Sequence, residues 1–153
     1  MKKFLFDCGT RDATASFGIL ALRVMIGLMM LIGHGIPKIQ NFEKLKTLPD
    51  FAPFSFISPT VGLMLCSGAE VGASVLIILG LATRPAAFLL GFNMVIAAFA
   101  VLGSAVWFMG PGVTVSKEPA LLYLVPMIAI ILTGAGAYSF DAGILQESKR
   151  RRW

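Results

Sequence analysis

The sequence predicts an all-α integral membrane protein, a four-helix bundle with a long amphipathic outer loop between its first and second helices. Three observations predict it. Of the 153 residues, 57% are apolar and 14% charged, and the mean hydropathy of +0.83 lies far above that of water-soluble domains. The apolar residues fall into four stretches of about 20, the length a helix needs to cross a hydrocarbon core of about 30 Å. None of them alternates polar with apolar residues, as the strands of a membrane barrel do. Four such spans and their connections use up the chain, so residues 1–153 are expected to form one domain.

The first span is expected over residues 17–36. Lys2, Lys3, Asp7, Arg11 and Asp12 precede it without a small-residue cleavage pattern after a short apolar core, so no removable signal peptide is expected. The connection over 37–59 mixes Lys38, Glu43, Lys44, Lys46 and Asp50 with Phe42, Phe51, Phe54, Phe56 and Ile57. It reads as an amphipathic cap lying in the membrane interface, where aromatic rings settle at headgroup level. The second and third spans, over 61–82 and 86–108, are separated only by residues 83–85. Pro85 does not extend a preceding helix comfortably, so this turn forces an antiparallel hairpin. Gly110, Pro111 and Gly112 punctuate a loop, the fourth span is expected over 120–138, and a basic tail occupies 149–153.

Thirteen Lys and Arg against eight Asp and Glu give a net charge of +5. The dense basic run Lys149, Arg150, Arg151, Arg152 has no aromatic interleaving before Trp153 and no fold to present it to bases, so nucleic acid is not an expected partner. The charge reads as orientation. With an even number of spans, Lys2, Lys3, Arg11, Arg84 and the four basic residues of the tail share one side, while Lys38, Lys44, Lys46 and Lys117 take the other. The positive-inside rule then places both termini in the cytoplasm, as expected of a multi-pass protein of the plasma (inner) membrane. Trp107, near the outer end of the third span, suits an interfacial anchor.

The informative residues are the polar ones inside the spans. Arg23 and Glu70 would each cost roughly 2.5–3.5 kcal/mol near the bilayer centre if unpaired, and the expected depths leave about 7 Å of vertical offset between them. An Arg23–Glu70 pair is therefore expected, with snorkelling of Arg23 to the inner headgroups and a protonated Glu70 as the alternative. Arg23, Gly27, Met30, His34 and Lys38 recur at spacings of 4, 3, 4 and 4, which gathers them into an arc of about 80° on one helix face. Glu118, opening the fourth span, should lie near His34 and Lys38, and Arg84 should lie near Asp141 at the inner boundary. Gly68 and Gly72, beside Ala69, Ala73 and Ser74, allow close helix packing.

Other chemistries fail on count. One His excludes a bis-His haem within the chain and leaves a zinc site short of ligands. Cys8 precedes the first span and Cys66 lies inside the second, so a redox dithiol is not expected and thiol chemistry is disfavoured. The ionisable groups of that helix face would line a cavity rather than face lipid, and such a cavity could serve a quinone, because quinone reduction needs proton donors near its oxygens and His34 and Glu70 can carry protons. Nothing in the chain holds electrons, so a cofactor-bearing partner would be required.

These residues also carry a family resemblance. Arg23, Gly27, His34, Gly35 and Lys38, then Glu70, Gly80, Thr83 and Arg84, then Glu118 with Tyr123, and finally Gly134, Gly136, Ser139 and Asp141 stand in an order and at helix ends that resemble the DoxX family of small four-helix membrane proteins. The likeness runs from Leu20 to Asp141, with two departures: Pro37 precedes the lysine, and the segment before the second span is Phe-rich rather than Gly-rich. The resemblance implies a membrane subunit linked to an oxidoreductase system, one branch resembling a subunit of thiosulfate:quinone oxidoreductase and another associated with membrane complexes that detoxify oxidants and thiols.

Together these readings give the expected site. Arg23, Met30, His34, Lys38, Glu70 and Glu118 are the candidate substrate-binding residues, Arg84 and Asp141 a structural ion pair, and no catalytic residue or metal ligand is assigned. No cofactor is intrinsic, and a quinone or another small lipophilic molecule is the candidate ligand. The partners are membrane lipids, with a soluble redox subunit and a homo-oligomer left open. The alternative is a non-enzymatic bundle that binds a lipid-like molecule or scaffolds a complex.

Overall fold

The computed structural model describes Gly9, residues 12–48, Phe51, Phe54 and residues 56–150, with side chains as far as Gln146. Cys8 and the side chains of the basic tail lie outside the described residues. The first helix, α1, runs over Ala13–Gln40. Asp12 caps it by accepting from Ala15 N at 2.8 Å, as an N-cap aspartate does for the orphan N–H groups of a first turn. The expected stop at 36 is not observed, because a π-helical turn over Leu31–Gly35 intervenes. Ile36 N reaches back five residues to Leu31 O, and Pro37 falls in the first turn of the α-helical segment Ile36–Gln40, where its missing N–H is tolerated. Lys38 is consequently a helix residue and not part of a loop.

A single turn, α2 (Phe42–Leu45), leads into the connection, and α3 (Pro59–Leu79) begins at Ser58, whose hydroxyl accepts from Val61 N at 3.4 Å. Its far end is a left-handed glycine, Gly80 at φ 71°, and Leu81 N bonds Leu76 O at 3.0 Å, the closure of a Schellman-type ending. The reversal falls at 80–82, not at the expected 83–85. Thr83 and Arg84 already belong to α4 (Thr83–Val101), which closes with a second π turn over Ala97–Val101, short of the expected 108. The following loop holds one isolated bridge between Val106 and Ser116. Lys117 Nζ donates to Gly103 O at 2.9 Å and lies 4.9 Å from the centre of the Trp107 ring.

The fourth apolar helix, α5 (Glu118–Thr133), has 16 residues, about 24 Å at the helical rise and shorter than the expected 120–138. Gly134 at φ 82° and Gly136 at φ 75° end it and turn the chain, after which α6 (Phe140–Arg150) begins. The protein is thus all-α, three long apolar helices and a shorter one forming the bundle of a multi-pass membrane protein. Met30, Ala73, Ile77, Leu90, Met94, Met127 and Ile130 fill its centre. Large side chains such as Met25, Phe88, Phe92, Leu122 and Leu132 point outward, the distribution that lipid as solvent permits.

Close approach of α1 to α3 occurs at Gly27 and Gly35. A Cβ on Gly27 would lie 2.6 Å from Ile78 Cγ1 and 3.2 Å from Ser74 O, and one on Gly35 would lie 2.7 Å from Val71 Cγ2. Gly68 and Gly72 face open space instead, so the tight packing lies elsewhere than at the expected glycine pair. At Gly80 a Cβ would collide with Arg23 Nη1 and Ser139 Cβ. Gly80→Ala is expected to destabilise the protein by about 2 kcal/mol, from left-handed strain and the clash. Gly68→Ala should be neutral or stabilising by up to about 1 kcal/mol. Thermal unfolding of both variants in detergent micelles checks the contrast.

Candidate functional site

The helix register decides which polar groups meet. With Gly35 against Val71 and Gly27 against Ile78, Lys38 falls beside Cys66 and Glu70, and Arg23 falls beside Gly80. Arg23 is therefore about ten residues, or roughly 15 Å along α3, from the carboxylate it was expected to meet. The expected Arg23–Glu70 pair is not formed. The guanidinium is 0% exposed, which also rules out snorkelling, and its Nη2 donates to Tyr138 O at 2.7 Å.

Glu70 pairs with Lys38, whose Nζ donates to Oε1. Around this pair, Lys38 Nζ lies 3.2 Å from Cys66 Sγ, the Cys66 thiol donates to Glu70 Oε1 at 3.3 Å, and Asn93 Nδ2 reaches Oε1 at 3.4 Å and Sγ at 3.6 Å. Four side chains from α1, α3 and α4 converge on one point. The Glu70 side chain is 3% exposed, and its other oxygen, Oε2, has no hydrogen-bond partner among the described residues. A buried acceptor left in this condition costs about 1–3 kcal/mol, more when charged.

The cluster forms the polar wall of a cavity of about 340 Å³. Leu65, Ile96, Ala97 and Val101 supply its apolar sides, and Leu45, Leu48, Phe51, Phe54 and Ile57 of α2 and the connection roof it. The Phe-rich connection thus puts aromatic rings over a hole in the bundle. Mixed apolar walls with a few convergent polar groups are the usual composition of a small-molecule site. The π turn of α4 lies on the cavity wall, and that of α1 lies one turn before Lys38; such turns often mark functional sites.

The other expected residues are divided among different places. His34 is separated from Lys38 by the end of the π turn, which admits extra residues into one revolution and breaks the straight stripe. It packs edge-on against Tyr123 of α5, ring centroids 5.3 Å apart, in a recess of about 360 Å³ that it shares with Glu118. Glu118 accepts from Met109 N at 2.6 Å. A shallower recess is lined by His34, Pro37, Lys38, Asn41 and Lys44. Met30 is 1% exposed and packed in the central core, so it does not line the cavity.

Arg84 and Asp141 do not form the expected ion pair. Asp141 accepts from Ala82 N at 2.8 Å, Thr83 N at 3.0 Å and Thr83 Oγ1 at 2.8 Å, because the first turn of α4 offers unsatisfied donors at the positive end of its dipole. This carboxylate also supports Ala82, a non-glycine residue at φ 46°. Arg84 Nη2 lies 3.5 Å from Leu132 O.

Sequence reasoning overlooked Asn93 and the part Cys66 plays. Both carried a signal: Asn93 is an amide inside an apolar span, and Cys66 stands one helical turn before Glu70 and so on the same face. Among the described residues no group of three or more His, Cys, Asp or Glu is placed to hold a metal ion.

Single replacements Lys38→Met and Glu70→Gln are each expected to destabilise the protein, since each strands a partner, and the double variant should recover part of the loss. A double-mutant cycle should give a coupling of roughly 1–3 kcal/mol for this pair, against additivity within about 0.5 kcal/mol for Arg23→Met with Glu70→Gln.

No curated protein and no solved structure matches the chain. The family profile described as DoxX matches residues 18–103, more than half of the chain, and spans α1 to the end of α4. Arg23, His34, Lys38, Glu70, Arg84 and Asn93 fall inside the match, while Glu118 and Asp141 follow it. The chain belongs to the DoxX family.

Proposed function

We propose that this DoxX protein is the membrane subunit of an oxidoreductase system and that the cavity beside Lys38 and Glu70 binds a small lipophilic molecule with a polar head, a quinone being the candidate. The observation that carries this reading is Glu70 Oε2, a buried acceptor with no hydrogen-bond partner among the described residues, on the polar wall of a cavity whose other sides are apolar. A protonated Glu70 would donate to a ligand oxygen there, and Lys38 holds the other carboxylate oxygen so that the donor keeps its position. Leu65, Phe51 and Phe54 offer surface to a hydrocarbon portion. Electrons would come from a cofactor-bearing partner subunit, whereas the chain itself would bind and orient the ligand and supply protons at Glu70.

The expected ligand, a quinone, is tested by solvent extraction of the purified protein and by titration with decylubiquinone in detergent. Glu70→Leu and Lys38→Met together, which remove the donor without stranding a charge, should weaken binding about tenfold, the loss of one hydrogen bond. Unchanged binding in that variant overturns the site, and the scaffold reading then replaces it.

The same reading places both termini in the cytoplasm by the Lys and Arg count. In a chain with Cys8 and Cys66 replaced by Ser, a cysteine at Thr47 should react with an impermeant maleimide from outside intact cells and one at Ser148 should not. The reverse pattern inverts the orientation.

A further inference from the structure

We propose that Cys66 is a nucleophile with Glu70 as its base, and that the cavity captures small lipophilic α,β-unsaturated carbonyl compounds covalently, among them quinones with a vacant ring carbon. The proposal rests on the reading that the cavity admits lipophilic molecules, and it adds a reaction that the reading does not need. A structural cysteine in a membrane helix packs as a small apolar group. Cys66 instead lies on the cavity wall and holds contacts with three polar side chains.

The arrangement has the parts that thiol addition requires. The thiol donates to Glu70 Oε1 at 3.3 Å, one helical turn away, so a base is within reach of the proton. Lys38 Nζ, at 3.2 Å, points a cation at the sulfur on which negative charge develops. Asn93 Nδ2 reaches both the base and the sulfur. A nucleophile, a base and groups that orient the base are the general signature of an activated side chain. Independently of these contacts, Glu70 Oε2 is buried and has no hydrogen-bond partner among the described residues, so the carboxylate can take a proton there while Oε1 keeps Lys38.

In the step itself the Cys66 proton passes to Glu70 and the sulfur electron pair forms a bond to the β-carbon. The carbon–carbon π pair moves toward the carbonyl oxygen, giving an enolate, and Glu70 returns the proton to the α-carbon. The S–H bond has added across the double bond, and no oxidant or reductant is consumed. With a quinone the protons on the two former double-bond carbons then shift to the two oxygens, and the adduct becomes the hydroquinone thioether.

The test uses the full chain in detergent micelles with Cys8→Ser, which leaves Cys66 as the single cysteine. Menadione, a quinone with a vacant ring carbon, is the probe, and intact mass with peptide mapping is the readout. Saturable addition at Cys66, faster than in the chain unfolded in sodium dodecyl sulfate, is expected, with no adduct in Cys66→Ser. Glu70→Gln combined with Lys38→Met should lower the rate at saturating menadione by roughly a hundredfold, the scale of general-base assistance. An equal rate in that variant overturns the role of Glu70. Decylubiquinone, which has no vacant ring carbon, separates this inference from the binding reading. If it binds to both the Cys8→Ser chain and its Cys66→Ser derivative while menadione adds no faster than to the unfolded chain, covalent capture is wrong and the ligand site stands. If neither compound associates with the folded chain, both are wrong.

Discussion

A carboxylate carried into the apolar part of a helix bundle must be met by a partner, because a lone charge there costs several kcal/mol. The rest of the structure at this end of the bundle is arranged around the pair that meets it. Lys38 reaches Glu70 only because α1 continues as helix past Pro37, and it does so through the π turn over Leu31–Gly35. The two helices approach closely enough for the contact because Gly27 and Gly35 present no side chain to Ile78 and Val71. Sequence, local backbone irregularity and packing all serve the same ion pair, and the cavity is the space left beside it.

The opposite end answers the same electrostatic demand with backbone. Arg23 donates to the Tyr138 carbonyl, and Asp141 accepts from the first turn of α4, while Asp141 N bonds Gly80 O at 2.9 Å. Gly80 is pressed against the guanidinium, and Ser16, fully buried, receives the Ala137 N–H at 3.1 Å. One end of the protein is therefore fastened by short polar contacts to backbone, and the other keeps an ionic cluster beside open volume. The two ends share no polar contact described above, so a change in the ionic cluster need not disturb the fastened end.

The fold was legible in the sequence to the extent that it depends on hydrophobic length. The four apolar helices, the hairpin between the second and third, and the importance of Arg23, Lys38, Glu70 and Asp141 all follow from placing polar residues on apolar segments. Pairing was not legible, because it depends on register. A shift of ten residues along α3 separates a partner for Arg23 from a partner for Glu70, and nothing local to either residue encodes it. The π turn was equally hidden: Pro37 suggests a helix end, and the residues of Leu31–Gly35 carry no pattern that distinguishes a wide turn from a normal one. Asp141 misled for another reason. A nearby arginine is an obvious partner on paper, whereas the unsatisfied N–H groups of Ala82 and Thr83 become visible only once the helix start is known.

Lys38 stands at the boundary of two spaces, the cavity on one side and the shallow recess with His34 and Lys44 on the other. Its side chain remains 21% exposed, while that of Glu70 is 3% exposed. The ammonium thus borders both spaces, and the ionic bond it makes to Glu70 also joins α1 to α3. Anything that loosens that bond loosens a helix contact and the wall of two spaces together. One atom is in this way shared between the helix contact and the walls on either side of it.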